Sequence, residues 1–483
     1  MKNTKIINLE KAKKDFITLR RKKNKNYKKC PEFKNYTDTE LGKLFANKYC
    51  KELKYEHSHK KWYIWNGNYW EKDVKKKITD YVRKFIKELL IEVAKIENSE
   101  QRVKNFNFIN KYGNARKMND LLTLASSMVG IRITIDEFDN KPELFSCRNC
   151  ILDLSGKVPE RIDFSQEFLL TQCSKVIYDP NADKPIQFLS FLDKIFNNDK
   201  EIIGFIQRLL GYCLTGYSTE DILIFMYGTG KNGKSTFVDI LKLIFGTYYM
   251  KIGMDSLTIK KSEGINNDIA SLKGSRLVIS SEIEQGKRLK ESLIKDLTGG
   301  DDIVARFLYG EYFTFKSTFK LWIYGNHKPI IRGLDMGIRR RIKLIPFEVT
   351  IQDTELKTRE EIKNIMQKET SGILNWILEG FVDWRKYGLL EPNKVKLATD
   401  EYFEEMDCVK NFLNEKCQKG EVEKSLKISL KNLYELYTEF NTKNGDIVLS
   451  KREFENYLKQ KGFEVMIGTG NIRYWKNLFI RKS

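Results

Sequence analysis

The sequence predicts an α/β protein: a parallel sheet bearing a phosphate-binding loop, with an α+β domain before it and a winged helix after it. Three runs carry that expectation. Residues 222–226 are apolar and β-prone; they lead into Gly228-Thr229-Gly230-Lys231-Asn232-Gly233-Lys234-Ser235-Thr236, then Phe237, Ile240, Leu241 and Ile244 at helical spacing. Residues 277–281 form a second apolar run that ends in acid at Glu282 and Glu284, and residues 319–324 form a third that ends in Gly325-Asn326. Strand, glycine loop and helix is the order a phosphate cradle requires, and the other two runs supply neighbouring strands.

In such a loop the glycines let several backbone N–H groups turn inward at one anion while the helix presents its positive end. Lys234 is placed to reach the β and γ phosphates of ATP and Ser235 to hold Mg2+, which makes residues 228–236 a Walker A site. The same residues also spell G-x-G-x-x-G. A dinucleotide site, however, expects an acid about twenty positions on at the end of a strand, and Asp255 follows Gly253-Met254 instead.

Lysine and arginine number 86 against 65 aspartates and glutamates, a formal charge of +21. Nucleic acid is the partner such a field favours, because displaced counterions drive association with any phosphate backbone. A genome that writes lysine freely is the other explanation. No run of eighteen apolar residues is present, and the charged start has no apolar stretch behind it, so no membrane contact and a cytoplasmic location are expected. Of eight cysteines only Cys147 and Cys150 have metal-like spacing, and a zinc site wants a second ligand pair that His57, His59 and His327 do not obviously supply.

In chain order, residues 1–35 make a basic arm around Arg20-Arg21-Lys22-Lys23, with too few apolar residues for a core; a solvated tail and a DNA contact both fit. Residues 36–182 form the α+β domain. Within it, aromatics alternate over 61–70 around Asn66-Gly67, the signal of a hairpin whose rings face a core more often than they stack on bases. Residues 79–96 have a helical period and 149–156 read as a short strand. Asp179-Pro180 and Pro185 mark a boundary, after which residues 183–395 hold helices over 186–215 and then the phosphate loop.

Glu282 at the end of the second strand is expected to orient the metal and activate water, with Glu284 on the same strand face; an acid capping the next helix is the alternative. Residues 289–297 read as a helix and 303–315 as a hairpin carrying Arg306 and Tyr309. Asn326 is placed to hydrogen-bond the γ-phosphate or the attacking water. Arg340 and Arg341 precede a short apolar strand, where one of them reaching the next subunit's ATP would act as an arginine finger. Residues 400–483 give helices over 409–415, 429–442 and 451–460 and a two-stranded wing over 462–480. That is a winged helix, on which Lys451, Arg452, Asn456, Lys459, Lys461, Arg473 and Lys476 suit recognition of a replication origin; a protein-docking domain is the alternative.

Together these motifs resemble those of a superfamily 3 helicase, in the phage, plasmid and poxvirus primase-helicase branch. The matching residues are the loop 228–235, the run 276–284 as Walker B, Leu297-Thr298-Gly299-Gly300-Asp301 with Arg306, Asn326 as sensor, and Arg340-Arg341 ahead of Ile345-Pro346-Phe347. Trp70, Asn149, Leu154 and Tyr178-Asp179-Pro180 match the domain that precedes the ATPase in that branch. The resemblance implies an AAA+ core assembled as a ring, usually a homo-hexamer, that hydrolyses ATP between subunits and moves 3′ to 5′ along one strand of DNA, with the 306–315 hairpin in the channel. Where the superfamily often has a lysine near that tip, this chain reads Leu308-Tyr309-Gly310-Glu311. Many relatives carry a primase domain upstream; here neither room nor an acid-plus-zinc constellation is evident, so a separate primase is expected. The rival reading is an origin-binding initiator that uses ATP as an assembly switch without translocating. A packaging motor is disfavoured, since no nuclease-like acidic cluster follows.

Overall fold

The computed structural model describes residues 36–259, 267–281, 287–308, 310–331, 336–352, 357–419, 427–444 and 448–481. The expectations for the basic arm, Glu282, Glu284 and Tyr309 fall outside the described residues. The chain divides into two compact units, Met1–Lys54 with Asp73–Arg132 and Tyr55–Lys72 with Ile133–Ser483, so the segment 36–182 contributes to both.

The first unit is helical: α1 (Asp38–Tyr49), α2 (Ile78–Ala94), α3 (Ser99–Asn110) and α4 (Ala115–Ser126). Thr37, Asn98 and Asn114 cap three of these helices with side-chain oxygens, as their residue types favour. The core is Leu41, Phe45, Val82, Phe85, Leu121 and Ala125, with Phe45 set edge-on to Phe85 at 5.4 Å.

The second unit starts with a hairpin, β1 (Lys61–Trp65) and β2 (Trp70–Lys72), paired Trp65 to Trp70. Trp70 is 1% exposed, against Phe138, so its ring serves the core. A three-stranded antiparallel sheet follows: β3 (Leu144–Ser146), β4 (Ile151–Asp153) and β5 (Glu160–Ile162). Asn149, in the β3–β4 turn, brackets the Tyr178 backbone, donating to its carbonyl at 2.9 Å and accepting from its N–H at 2.8 Å. Cys147 and Cys150 are buried beside it, and among the described residues no three His, Cys, Asp or Glu are placed to share an ion.

Helices α5 (Ile186–Ile195) and α6 (Lys200–Leu214) lead to the central sheet. Its strands are β6 (Leu223–Tyr227), β7 (Tyr249–Ile252), β8 (Leu277–Ser281), β11 (Lys320–Gly325) and β12 (Ile342–Pro346), all parallel, in the order β12-β6-β11-β8-β7. Near-continuous apolar runs are what strands covered on both faces need. Helix α7 (Lys234–Phe245) follows β6, and α8 (Glu291–Thr298) precedes an antiparallel hairpin, β9 (Asp302–Ala305) and β10 (Phe313–Lys316). A short helix, α9 (Met336–Arg339), enters β12. Beyond it lie α10 (Arg359–Lys368), α11 (Thr370–Tyr387) and α12 (Asn393–Glu405). Two glycines let α6 and α11 touch: a Cβ on Gly211 would stand 2.1 Å from Phe381 N, and one on Gly380 2.0 Å from Gln207 O.

The C-terminal part has α13 (Cys408–Lys416), β13 (Cys417–Lys419), β14 (Lys427–Ser429), α14 (Leu430–Asn444), α15 (Lys451–Gln460), β15 (Val465–Ile467) and β16 (Arg473–Ile480). Strand β16 pairs antiparallel with β13, β14 and β15. Phe454, Tyr457 and Leu458 bury one face of α15 against Phe412 and Tyr437, leaving Lys451, Arg452, Asn456 and Lys459 exposed on the other. No helix among the described residues is long and apolar enough to cross a membrane.

Candidate active site

The carboxyl ends of β6 and β11 lie side by side, Tyr227 opposite Gly325, and the loops leaving them meet. Gly228 has no room for a side chain, because a Cβ there would stand 2.1 Å from Asn232 Nδ2 and 2.4 Å from Phe347 O. Asn232 Nδ2 donates to Phe347 O at 3.1 Å, which ties the loop to the segment following β12. Gly233 sits at φ +82°, a region glycine adopts without strain, and offers no side chain to cap α7. The first-turn amides of α7 are therefore open to an anion.

Lys234 is only 5% exposed. Its ammonium donates to Gly228 O at 2.7 Å, Asn232 Oδ1 at 2.8 Å and Asn326 Oδ1 at 3.2 Å. All three acceptors are neutral, and among the described residues Lys234 has no ion-pair partner. Burial lowers its pKa to about 8. A buried cation facing neutral oxygens at an uncapped helix start fits the phosphates of a nucleotide. Ser235 and Thr236, on the first turn, are half-buried; Thr229 and Lys231 are exposed at the loop's outer edge.

On the next strand, β8 ends at Ser281, paired with Tyr324; Glu282 follows in sequence. On the opposite side, Arg339, Arg340 and Arg341 separate sharply. Arg339 pairs with Asp400 at 2.9 Å and Arg341 donates to Gly337 O at 2.8 Å and to Asp221 at 3.3 Å. The Arg341 side chain is 10% exposed, whereas that of Arg340 is 66% exposed and only 3.5 Å from Asp221.

In the loop of the β9–β10 hairpin the Arg306 guanidinium lies over the Tyr312 ring at 4.7 Å. His59 sets its ring edge-on to Phe307 and Phe313, at 4.6 and 5.4 Å, and its Nδ1 is 2.7 Å from the buried Glu56 carboxylate. Two backbone amides, of Ser58 and His59, also donate to that carboxylate. Burial works against the charge on Glu56, but these bonds hold its pKa below the usual range. On the last sheet Arg473 and Lys476 are exposed, Lys476 pairing with Glu464 at 2.9 Å.

Residues 42–197 match the family described as D5 N terminal like, residues 226–341 a family of unknown function, and residues 404–480 the family described as Poxvirus D5 protein-like. The helicase-named protein L207/L206 of Acanthamoeba polyphaga mimivirus is 32% identical over 242 residues, covering 47% of this chain and 25% of the relative. Over parts of its length the chain is similar to proteins of large DNA viruses that are named as helicases or as primase D5. Primase D5 of Fowlpox virus is 27% identical over 46% of this chain and 29% of its own length. The helicase-named protein 184R of Invertebrate iridescent virus 6 is 24% identical over 75% of the chain and 41% of its own length. The chain thus matches less than half the length of these curated relatives. Among solved structures, the apo A form of the NrS-1 C terminal region superposes with a TM-score of 0.48 at 14% identity, over 91% of this chain and 99% of that one.

Sequence reasoning missed the Glu56–His59 pair, because nothing local ties a histidine at 59 to phenylalanines at 307 and 313. It also missed the fully buried Lys320 and Arg276. Lys320 donates to Thr215 O at 2.5 Å and lies over the Tyr212 ring at 4.1 Å; Arg276 lies over the Tyr248 ring at 5.7 Å. Lys320 opens β11 and Arg276 directly precedes β8, at buried places where an apolar residue would be expected.

Proposed function

We propose that this chain is an ATP-driven replicative DNA helicase of the superfamily 3 type, with an AAA+ core that works as a ring of six subunits and moves 3′ to 5′. The observation that carries the reading is the meeting of Lys234 with Asn326 across the ends of two adjacent parallel strands. A ligand site at the carboxyl edge of a parallel sheet, with a cation from the glycine loop and an amide from its neighbour strand, suits cleavage of a terminal phosphate. The strand order, with the loop strand flanked by the sensor strand on one side and the arginine strand on the other, agrees with an AAA+ core.

In this reading Lys234 and the α7 amides neutralise the β and γ phosphates of ATP. Glu282, with Glu284 beside it in sequence, takes a proton from the attacking water, and Asn326 orients that water or the γ-phosphate it attacks. Ser235 and Glu282 would hold Mg2+, which when bound supplies positive charge against the phosphate oxygens. Arg340 of the partner subunit supplies the remaining charge in the transition state, while Arg341 is bound into its own subunit by Asp221 and Gly337. The products are ADP and phosphate.

Arg306, braced by Tyr312, grips the phosphate backbone in the channel. The C-terminal part acts as a winged helix that holds duplex DNA, with Lys451, Arg452 and Lys459 on α15 and Arg473 and Lys476 on β16 toward the phosphates. A replication origin of a viral or other mobile genome is the fitting target. The test is strand displacement on forked DNA by wild type, Lys234→Ala and Arg306→Ala. Lys234→Ala should lose ATP binding and unwinding together; Arg306→Ala should keep ATP binding and lose unwinding. Wild type that hydrolyses ATP and footprints duplex without displacing a strand would favour the initiator reading.

A further inference from the structure

The segment after Asn326 is pinned from three sides, and one of them leads out of the ATPase core. Lys328 lies between the rings of Tyr227 and Tyr402, 5.1 and 5.8 Å from their centroids, and pairs with Glu405 at 2.6 Å. Tyr402, fully buried on α12, donates its hydroxyl to Pro329 O at 2.5 Å. From the far side, Ile330 exchanges backbone hydrogen bonds with Lys287 and Leu289. The residue that touches Lys234 is therefore three positions from a carbonyl held by α12.

Helix α12 also holds the arginine side of the site. Thr399 Oγ1 accepts from Leu344 N of the edge strand β12 at 3.0 Å, and Phe403 lies under the Arg339 guanidinium at 5.4 Å, beside the Arg339–Asp400 pair. Two residues past its end, Asp407 caps α13 by accepting from Lys410 N at 2.9 Å. Its other oxygen accepts from the buried Tyr457 hydroxyl of α15 at 2.7 Å. Helix α12 thus touches the sensor loop and the arginine segment, and Asp407, two residues past its end, touches the helix assigned to duplex DNA.

We propose that Tyr402 and Glu405 are positioning residues for ATP hydrolysis: they set Asn326 through Pro329 and Lys328, and α12 makes that setting depend on duplex DNA held by the C-terminal part. The inference rests on the ATPase reading above. A packed helix hydrogen-bonded to both the sensor loop and the arginine strand transmits a small rotation. On this proposal DNA on α15 speeds hydrolysis at Lys234.

The test is steady-state ATPase of the full chain, with and without duplex DNA, for wild type, Tyr402→Phe, Glu405→Gln and Tyr457→Phe. Tyr402→Phe keeps the ring and removes one hydrogen bond, so kcat should fall about fivefold with KM for ATP unchanged. Glu405→Gln, at a side chain 55% exposed, alters no core and should move kcat the same way. Tyr457→Phe should leave basal kcat and duplex binding as in wild type and abolish the stimulation. Stimulation intact in Tyr457→Phe, or wild-type kcat in both other variants, overturns the inference while the ATPase reading stands. A wild-type chain that hydrolyses no ATP overturns both.

Discussion

Lys234 is the residue whose chemistry is most exposed to measurement. Its folded pKa of about 8 lies below the ordinary 10.5, so below about pH 8 both folded and unfolded chains carry the proton and the fold bears the cost of burying it. Between about 8 and 10.5 the unfolded chain alone keeps it, and stability rises with pH across that window. A bound triphosphate reverses the shift by favouring the charged form. ATP binding at about pH 8.5 should then take up protons, seen by calorimetry in two buffers of different ionisation enthalpy. Binding with no proton uptake would contradict a buried, phosphate-facing ammonium. Lys320 follows the same sign with its pKa lowered to about 7 by burial. Thermal unfolding should show the chain gaining about 2 kcal/mol between about pH 6.5 and 8.5, and Lys320→Met should flatten that slope. The glycine loop between β6 and α7 was legible because its spacing is local: glycines, lysine and serine fall within a few residues of one another. The difference between Arg340 and Arg341 was not, since adjacent arginines have the same chemistry and only burial against Asp221 separates them.

At the scale of elements, strands and helices with strong periodicity were readable, including β6, β8, β11, α5, α6 and α15. Helices α3 and α4 were not read, because α3 buries little more than Asn105 and Ile109 and presents a largely polar surface. The close crossing of α6 and α11 was equally hidden, since two isolated glycines 169 positions apart give no pattern. That crossing predicts its own mutant: Gly380→Ala should cost about 1–3 kcal/mol by forcing a Cβ into Gln207 O, measured by denaturant unfolding, whereas Gly388→Ala has open space and pays only for its φ of +73°. The β9–β10 loop is held by the His59 ring, so His59→Ala should weaken single-strand affinity without changing ATP affinity. For α15, replacing Lys451 by Ala should lower duplex affinity across sequences and reduce the salt slope by about one.

For the whole molecule, the charge of +21 and the sheet order gain meaning only together. The strand order could not be read from any one run, because register between strands far apart in sequence is set by packing. It places the arginine strand β12 beside the loop strand β6, with Arg341 folded inward and Arg340 directed to solvent. In the proposed mechanism that exposed guanidinium reaches a nucleotide held by a second subunit. The decisive measurement is subunit mixing: Lys234→Ala and Arg340→Ala chains, each inactive alone, are combined and their ATPase recorded. Cleavage between subunits predicts recovery to roughly a quarter of the wild-type rate, the share of interfaces that pair an intact Lys234 with an intact Arg340 in a randomly mixed ring. A mixture as inactive as its components, or an Arg340→Ala chain that turns over at the wild-type rate by itself, would contradict it.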